Sequence, residues 1–196
     1  LEALEQQGAE LVSWSPLRDR VLPENVHGLY FGGGFPEMFA ATLSENDSAR
    51  SAVRQAIQAG MPTYAECGGL MYLCEKLTDF SEQTFEMVGI LPTTTVMGSQ
   101  LTLGYRQAIA LRSSPLLSQG AIVHGHEFHR SHLSIAPTAP LFTLSALNSQ
   151  PSDLTPEGFS SPSLHASYLH LHWGATPEIP KRFVQHCANF RRGRYL

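Results

Sequence analysis

The stretch "PTYAECGGLMYLCEK", Pro62 to Lys76, joins an apolar run to a cysteine, two glycines and a second apolar run. "MPTYAEC" reads as a strand. "GGLMYLCEKLTD" reads as a helix, because Leu70, Leu73, Cys74 and Leu77 recur at i, i+3, i+4 and i+7. Between them, Ala65-Glu66-Cys67-Gly68-Gly69 has the small-x-nucleophile-x-Gly layout of a nucleophile elbow, with cysteine where hydrolases often use serine. Such a turn strains the nucleophile's backbone and needs small neighbours, which Ala65, Gly68 and Gly69 supply. The thiol would sit at a helix N-terminus, where unpaired amides and the helix dipole favour the thiolate. The Gly68 amide would point at the place where an oxyanion forms. The same cysteine also fits a small buried core residue, and the turn alone leaves both readings open. Cys74 and Cys187 fall on helix faces among leucine or phenylalanine and read as core.

Outward from this turn, "SENDSARSAVRQAIQAG" carries helix punctuation. Ser44 or Ser48 caps it, Ala49, Val53, Ala56 and Ile57 form a face, and Gly60 stops it. "HGLYFGGGFPE" is a strand, Gly28 to Phe31, running into three glycines. "AELVSW", Ala9 to Trp14, reads as a short strand after an amphipathic helix that Gly8 ends. The front half therefore alternates strand and helix, the pattern of a parallel sheet with helices on its faces. The back half holds strand-like runs at "VGILPTTTVM", "LTLGYRQAIALR", "AIVHGHEFHRSHLSI", "PLFTLSAL" and "HASYLHLHW". A last helix comes at "PKRFVQHCANFRR". Asn148 to Ser163, rich in serine and proline, reads as surface loop.

The chain has 196 residues, 42% of them hydrophobic, enough for one ordinary domain with its own core. A net charge of -4, with 15% charged residues, points away from nucleic-acid and membrane-surface binding. Three cysteines do not make a disulfide framework, so a reducing cytoplasm is the simpler setting. No apolar run approaches the roughly 20 residues that span a bilayer, and no signal-peptide pattern appears.

The glycines of "LYFGGGFPE" allow close backbone approach to a ligand, although no P-loop or G-x-G-x-x-G pattern is present. Beside a cysteine elbow, Gly33 and Gly34 would join Gly68 in an oxyanion hole. A cysteine nucleophile also needs a base, and nine histidines are on offer. His124, His126, His129 and His132 cluster in "VHGHEFHRSHL", and His165, His170 and His172 in "LHASYLHLHW". His126 to His129 is one residue short of the zincin H-E-x-x-H, so no physiological metal is expected.

Taken together, "GLYFGGGFPEMFAATLSEN", "PTYAECGGLMYL", "LGYR", "GHEFHRS" and "YLHLHW" resemble, in order, the successive blocks of the glutamine amidotransferase domain of cobyrinic acid a,c-diamide synthases, from the cobalamin pathway. "GAELVSWSPLRD" extends the match toward the N-terminus. The resemblance implies a class I amidotransferase fold, a flavodoxin-like mixed sheet with helices on both faces, and glutamine hydrolysis at Cys67. His170 aligns with the family's base. His172 falls where the wider class has an orienting glutamate, so the resemblance implies a Cys67–His170 dyad with no assigned third member, and His172 is the alternative base. Arg106 and Glu127, from "LGYR" and "GHEFHRS", are the charged candidates for glutamine's α-carboxylate and α-ammonium.

The full enzyme in that family carries an N-terminal synthetase domain that binds ATP, Mg²⁺ and the corrinoid. Residues 1–196 are accordingly expected to be the amidotransferase domain of a longer protein, a fragment without its first sheet strand. The unpaired strand edge left behind would invite aggregation, or pairing with a partner such as a second copy in a homodimer. Three rivals stand beside this reading. They are the related domain of cobyric acid synthase, a non-catalytic interaction module that keeps the fold, and a peptidase on the same fold.

Overall fold

The computed structural model describes residues 1–147 and 154–193. Short helix α1 (Glu2–Glu5) opens the chain, and Gly8, at φ 89°, ends the turn that follows it. Strand β1 (Leu29–Phe31) then runs into the glycine loop, a 3-10 turn over Pro36–Phe39, α2 (Ala40–Glu45) and α3 (Asp47–Gln58). Strand β2 (Thr63–Glu66), the elbow and α4 (Gly68–Leu73) come next. The rest is mostly sheet: β3 (Cys74–Thr78), β4 (Thr84–Glu86), β5 (Leu91–Ala110), β6 (Ile122–Leu133), β7 (Phe142–Ala146), β8 (Thr155–Glu157), β9 (Phe159–Ser161), β10 (Leu164–Ser167) and β11 (His170–Leu171). Helix α5 (Glu178–Arg191) closes the described part.

One sheet has the order β1-β2-β10-β9, with β1, β2 and β10 parallel and β9 antiparallel. Its central strand is buried on both faces, as parallel strands under helix layers are. Ala65 packs in a core with Val53, Leu70 and Leu73, while its neighbour Tyr64 packs in a second core with Phe142, Leu169 and Phe183. A second, larger sheet is built around β5, which pairs with β6 along most of its length, with β3 near its start and with β7 near its end. The chain passes between the sheets at Tyr168 and Leu169, so β10 and β11 belong to different sheets two residues apart.

Several local expectations are corrected. The helix after the elbow stops at Leu73 rather than running on to Asp79. The carbonyls of Tyr72, Leu73 and Cys74 accept hydrogen bonds from Val88, Ile90 and Gly89 at 2.8–3.0 Å, which draws the chain into β3 instead. Cys74 and Leu77 are buried in β3 as well, where the pairing with β5 shifts register between Cys74 and Lys76. The cap of α3 is Asn46, whose side chain accepts from the Ala49 amide at 3.3 Å and donates to the Pro16 and Asp19 carbonyls. Neither Ser44 nor Ser48 fills that place. Within the expected surface loop, residues 155–157 and 159–161 are short paired strands, and residues 148–153 lie outside the described residues.

Ala9 to Trp14 is not a strand. Among the described residues no strand pairs with the outer edge of β1. Val12 and Trp14 line a cavity of about 430 Å³ together with Leu29, Tyr30 and Phe31, and the Trp14 ring packs edge-on against Phe31 with centroids 6.4 Å apart. With no strand among the described residues paired to it, the segment lacks the ladder that would receive its amides and carbonyls.

Candidate active site

The site forms where the end of β2, the glycine loop after β1 and the start of β11 meet. Cys67 has φ 49° and ψ -105°, a left-handed φ that side chains rarely adopt. The turn is held on both sides, since the Cys67 amide donates to the Ser167 carbonyl at 2.8 Å and its carbonyl accepts from the Met71 amide at 3.1 Å. This is the nucleophile elbow read from the sequence. The thiol is 5% exposed and its Sγ lies 3.9 Å from the Phe128 carbonyl of β6.

The glycine loop closes over this turn. A Cβ built on Gly68 would meet the Gly34 backbone at 2.7–2.9 Å, so the two peptides touch with no room for a side chain. A Cβ on Gly33 would stand 2.5 Å from the His170 Cε1. Gly33, Gly34, Gly68, Cys67 and His170 are therefore brought together from three places in the chain.

His170 is the histidine at the thiol. Its side-chain hydrogen bond with Cys67 and its interaction with Glu66 push the imidazole up to about 10, against the opposing effect of burial. Its Nδ1 lies 3.5 Å from Glu66 Oε1, and its ring stacks on His126 with centroids 4.8 Å apart. Desolvation, and then the charge of His170, lower the pKa of His126. His172 is exposed, with its amide donating to the His124 carbonyl at 3.1 Å.

Glu66 is the residue that reading the sequence missed. Burial alone would raise its pKa, but hydrogen bonds from His170 and Tyr64, the His170 charge and Tyr30 together bring it below the ordinary value. Tyr30 donates to Oε1 at 3.2 Å and Tyr64 to Oε2. The signal was present in "TYAEC", where an acid stands among buried strand residues; such a charge is expensive unless it is paired.

Arg106 and Glu127 answer each other's charges. Arg106 Nε lies 2.7 Å from Glu127 Oε2, and His129 Nε2 lies 3.3 Å from Oε1. Glu127 and His126 are successive strand residues and so face opposite sides of β6. With His129, Glu157 and Tyr168, the Arg106–Glu127 pair lines a cavity of about 500 Å³ whose lining includes neither Cys67 nor His170. Among the described residues no group of three His, Cys, Asp or Glu is placed to hold a metal, and no helix is long and apolar enough to cross a membrane.

A strained cysteine at a strand-to-helix turn, with a histidine beside it, is an arrangement that thiol-dependent acyl transfer uses, here on an α/β fold. The same fold occurs in a GMP synthase subunit from Thermoplasma acidophilum (TM-score 0.61, 16% identity, 98% of this chain and 88% of that one). It occurs also in PurLQS from Thermotoga maritima (TM-score 0.61, 17% identity, 96% and 90% covered). Residues 1–178 match the CobB/CobQ-like glutamine amidotransferase domain, and the chain belongs to that family. It is 55% identical over 186 residues to a cobyrinate a,c-diamide synthase of Synechococcus, covering 95% of this chain and 40% of that protein. It is 43% identical over 187 residues to a hydrogenobyrinate a,c-diamide synthase of Streptomyces coelicolor, covering 95% and 36%. The chain thus spans about two fifths of the length of these relatives.

Proposed function

We propose that this domain hydrolyses glutamine at Cys67 and passes the ammonia to an ATP-dependent amidation of the a and c carboxylates of cobyrinate or hydrogenobyrinate. The observation that carries the hydrolytic half is the contact between Cys67, strained at φ 49°, and His170, whose imidazole that contact and Glu66 push up to about 10. The Cys67 thiolate attacks the side-chain carbonyl carbon of glutamine, forming a C–S bond and a tetrahedral oxyanion. The Gly68 amide, with that of Gly33 or Gly34, stabilises the oxyanion, each donor being worth about 2.7–4 kcal/mol. The C–N bond breaks as His170 gives its proton to the departing nitrogen, which leaves as ammonia. A glutamyl thioester remains. His170 then takes a proton from water, whose oxygen attacks the thioester and releases glutamate and the thiolate.

The amidation half rests on the relatives' names and on their additional length. In this reading the chain is the amidotransferase part of a longer protein, and ATP, Mg²⁺ and the corrinoid act on the remaining part. The glycine loop here does not fit a nucleotide's phosphates: it lacks the P-loop lysine and is packed against His170 and Gly68.

A γ-carbonyl electrophile analogue of glutamine tests the hydrolytic half. Peptide mass spectrometry is expected to place the adduct on Cys67 alone, with glutamine protecting it and Cys67→Ala abolishing both adduct and glutamate release. Cys74 is fully buried and burial pushes its thiol up to about 12, so it should stay unmodified. A folded chain that takes up no label would instead be the non-catalytic module. Corrinoid product analysis of the longer protein, with amides at a and c only, separates the amidation assignment from that of a cobyric acid synthase.

A further inference from the structure

We propose that Glu66, the residue directly before the nucleophile, is the positioning carboxylate of this site: it holds the Nδ1 side of His170 while Tyr30 and Tyr64 hold the carboxylate. The proposal rests on the glutaminase reading of Cys67 and His170 and supplies the third member that the sequence left unassigned.

The geometry singles out one acid. Among the described residues, Glu66, Glu127 and Glu157 are carboxylates with little exposure near the β10–β11 crossing. Glu127 is paired with Arg106 and His129. Glu157 accepts from the Ser167 hydroxyl and the Tyr168 amide at 2.6 and 2.7 Å. Only Glu66 reaches His170, at 3.5 Å from Nδ1. That contact leaves Nε2 to the thiol, which is the tautomer and orientation a general base needs. In serine and cysteine hydrolases an acid on Nδ1 plays this part.

The carboxylate is itself fixed by the sheet. β1 and β2 run parallel with Tyr30 opposite Tyr64, and the two rings stack at 5.0 Å with planes 9° apart. Tyr64 is two residues before Glu66 on the same strand, so both side chains face one way. Each tyrosine hydroxyl therefore meets one carboxylate oxygen, Tyr30 on Oε1 and Tyr64 on Oε2. The groups facing His170 are then Glu66, the Cys67 thiol, the stacked His126 and the Gly33 backbone. Among these neighbours Glu66 is the one that brings a negative charge other than the thiol's own.

A purely structural Glu66 would satisfy the two tyrosines and leave the chemistry of His170 alone. The distinguishing readout is the titration of His170 by nitrogen-15 histidine NMR in the Cys67→Ala protein, which requires no turnover. Adding Glu66→Gln is expected to lower the His170 midpoint by at least about one pH unit, the usual effect of losing an opposite charge at this range. Glu66→Asp, which keeps the charge on a shorter arm, is expected to fall between the two. With Cys67 present, Glu66→Gln should reduce kcat for glutamine roughly 10²-fold and leave KM within about twofold. An unchanged His170 midpoint, or a raised KM at unchanged kcat, overturns the proposal. Should Glu66→Gln fail to fold by near-ultraviolet circular dichroism, Tyr30→Phe removes one hydroxyl from a partly exposed ring. Its expected effect is a kcat loss of about three- to tenfold with the fold kept, and an unchanged kcat counts against the proposal. Since the titration needs no glutamine, it stands or falls separately from the glutaminase reading, which the labelling of Cys67 decides.

Discussion

Gly33→Ala puts one methyl group between the glycine loop and the base. The added carbon would stand 2.5 Å from His170 Cε1, about 1 Å inside the contact distance of two carbon atoms, roughly 3.5 Å. The ring cannot easily swing away, because Glu66 lies against its Nδ1 and His126 against its face. The backbone is no obstacle, since Gly33 has no left-handed φ. The expected result is displacement of His170, or of the loop, by about an ångström. A misplacement of that size costs on the order of 10²-fold in rate. Glutamate release at saturating glutamine, with thermal unfolding as the fold check, measures it. Gly34→Ala is the comparison, because its added methyl would meet nothing within 4 Å; it should lose no more than about threefold. Gly33→Ala within twofold of the parent, or an equal loss for both variants, would refute the steric argument and with it the position given to His170.

Two further predictions concern stability. His165 lies between the rings of Tyr64 and Phe142, its Nδ1 3.0 Å from Ser114 Oγ and its Nε2 unpartnered among the described residues. Desolvation depresses it to about 3, so the folded state resists a proton that the unfolded chain binds below about 6.5. Stability is then lost as pH falls from about 6.5 toward 3, at up to ~1.4 kcal/mol per pH unit, and His165→Phe should remove that loss; parallel urea-unfolding profiles for the two proteins between pH 7 and 5 would contradict it. Arg50, 8% exposed, donates to the Met87 and Ser44 carbonyls at 3.1 and 2.9 Å and tethers α3 to the entrance of β5. Arg50→Ala should destabilise by about 2–3 kcal/mol in urea unfolding through the unsatisfied carbonyls, and a change below about 0.5 kcal/mol would show that water replaces the guanidinium.

How far the sequence reached depended on how local each feature is. The elbow was legible because Ala65, Cys67, Gly68 and Gly69 state its steric needs within five residues. The glycine loop and the last helix, with Phe183 and Cys187 on its inner face, were legible for the same reason. The end of α4 was not, because Leu70, Leu73, Cys74 and Leu77 keep helical spacing; amides from Val88 to Ile90 decide the matter. Nor was the irregular path of Ala9 to Trp14, whose alternation is strand-like but which pairs with no strand among the described residues. Glu66 escaped because its meaning comes from the register of Tyr30 against Tyr64 and from a histidine about a hundred residues away. The choice of His170 over His172 came from the resemblance and not from spacing; the structure puts His170 against Cys67 and leaves His172 exposed.

The pairing of β2 with β10, Ala65 opposite Ala166, helps set Cys67 beside His170 across that distance in the chain. It therefore places the site among the high-contact-order parts of the fold. Closing so long a loop is entropically unfavourable, though each doubling adds only about 0.6 kcal/mol; the larger consequence is for the rate, because non-local strand pairing is slow to find its register. During synthesis the elbow leaves the ribosome well before β10 exists. A nascent chain thus carries the turn's sequence and its thiol for some time before His170 is made, and the Cys67–His170 pair comes into being only when the sheet is completed from its far end.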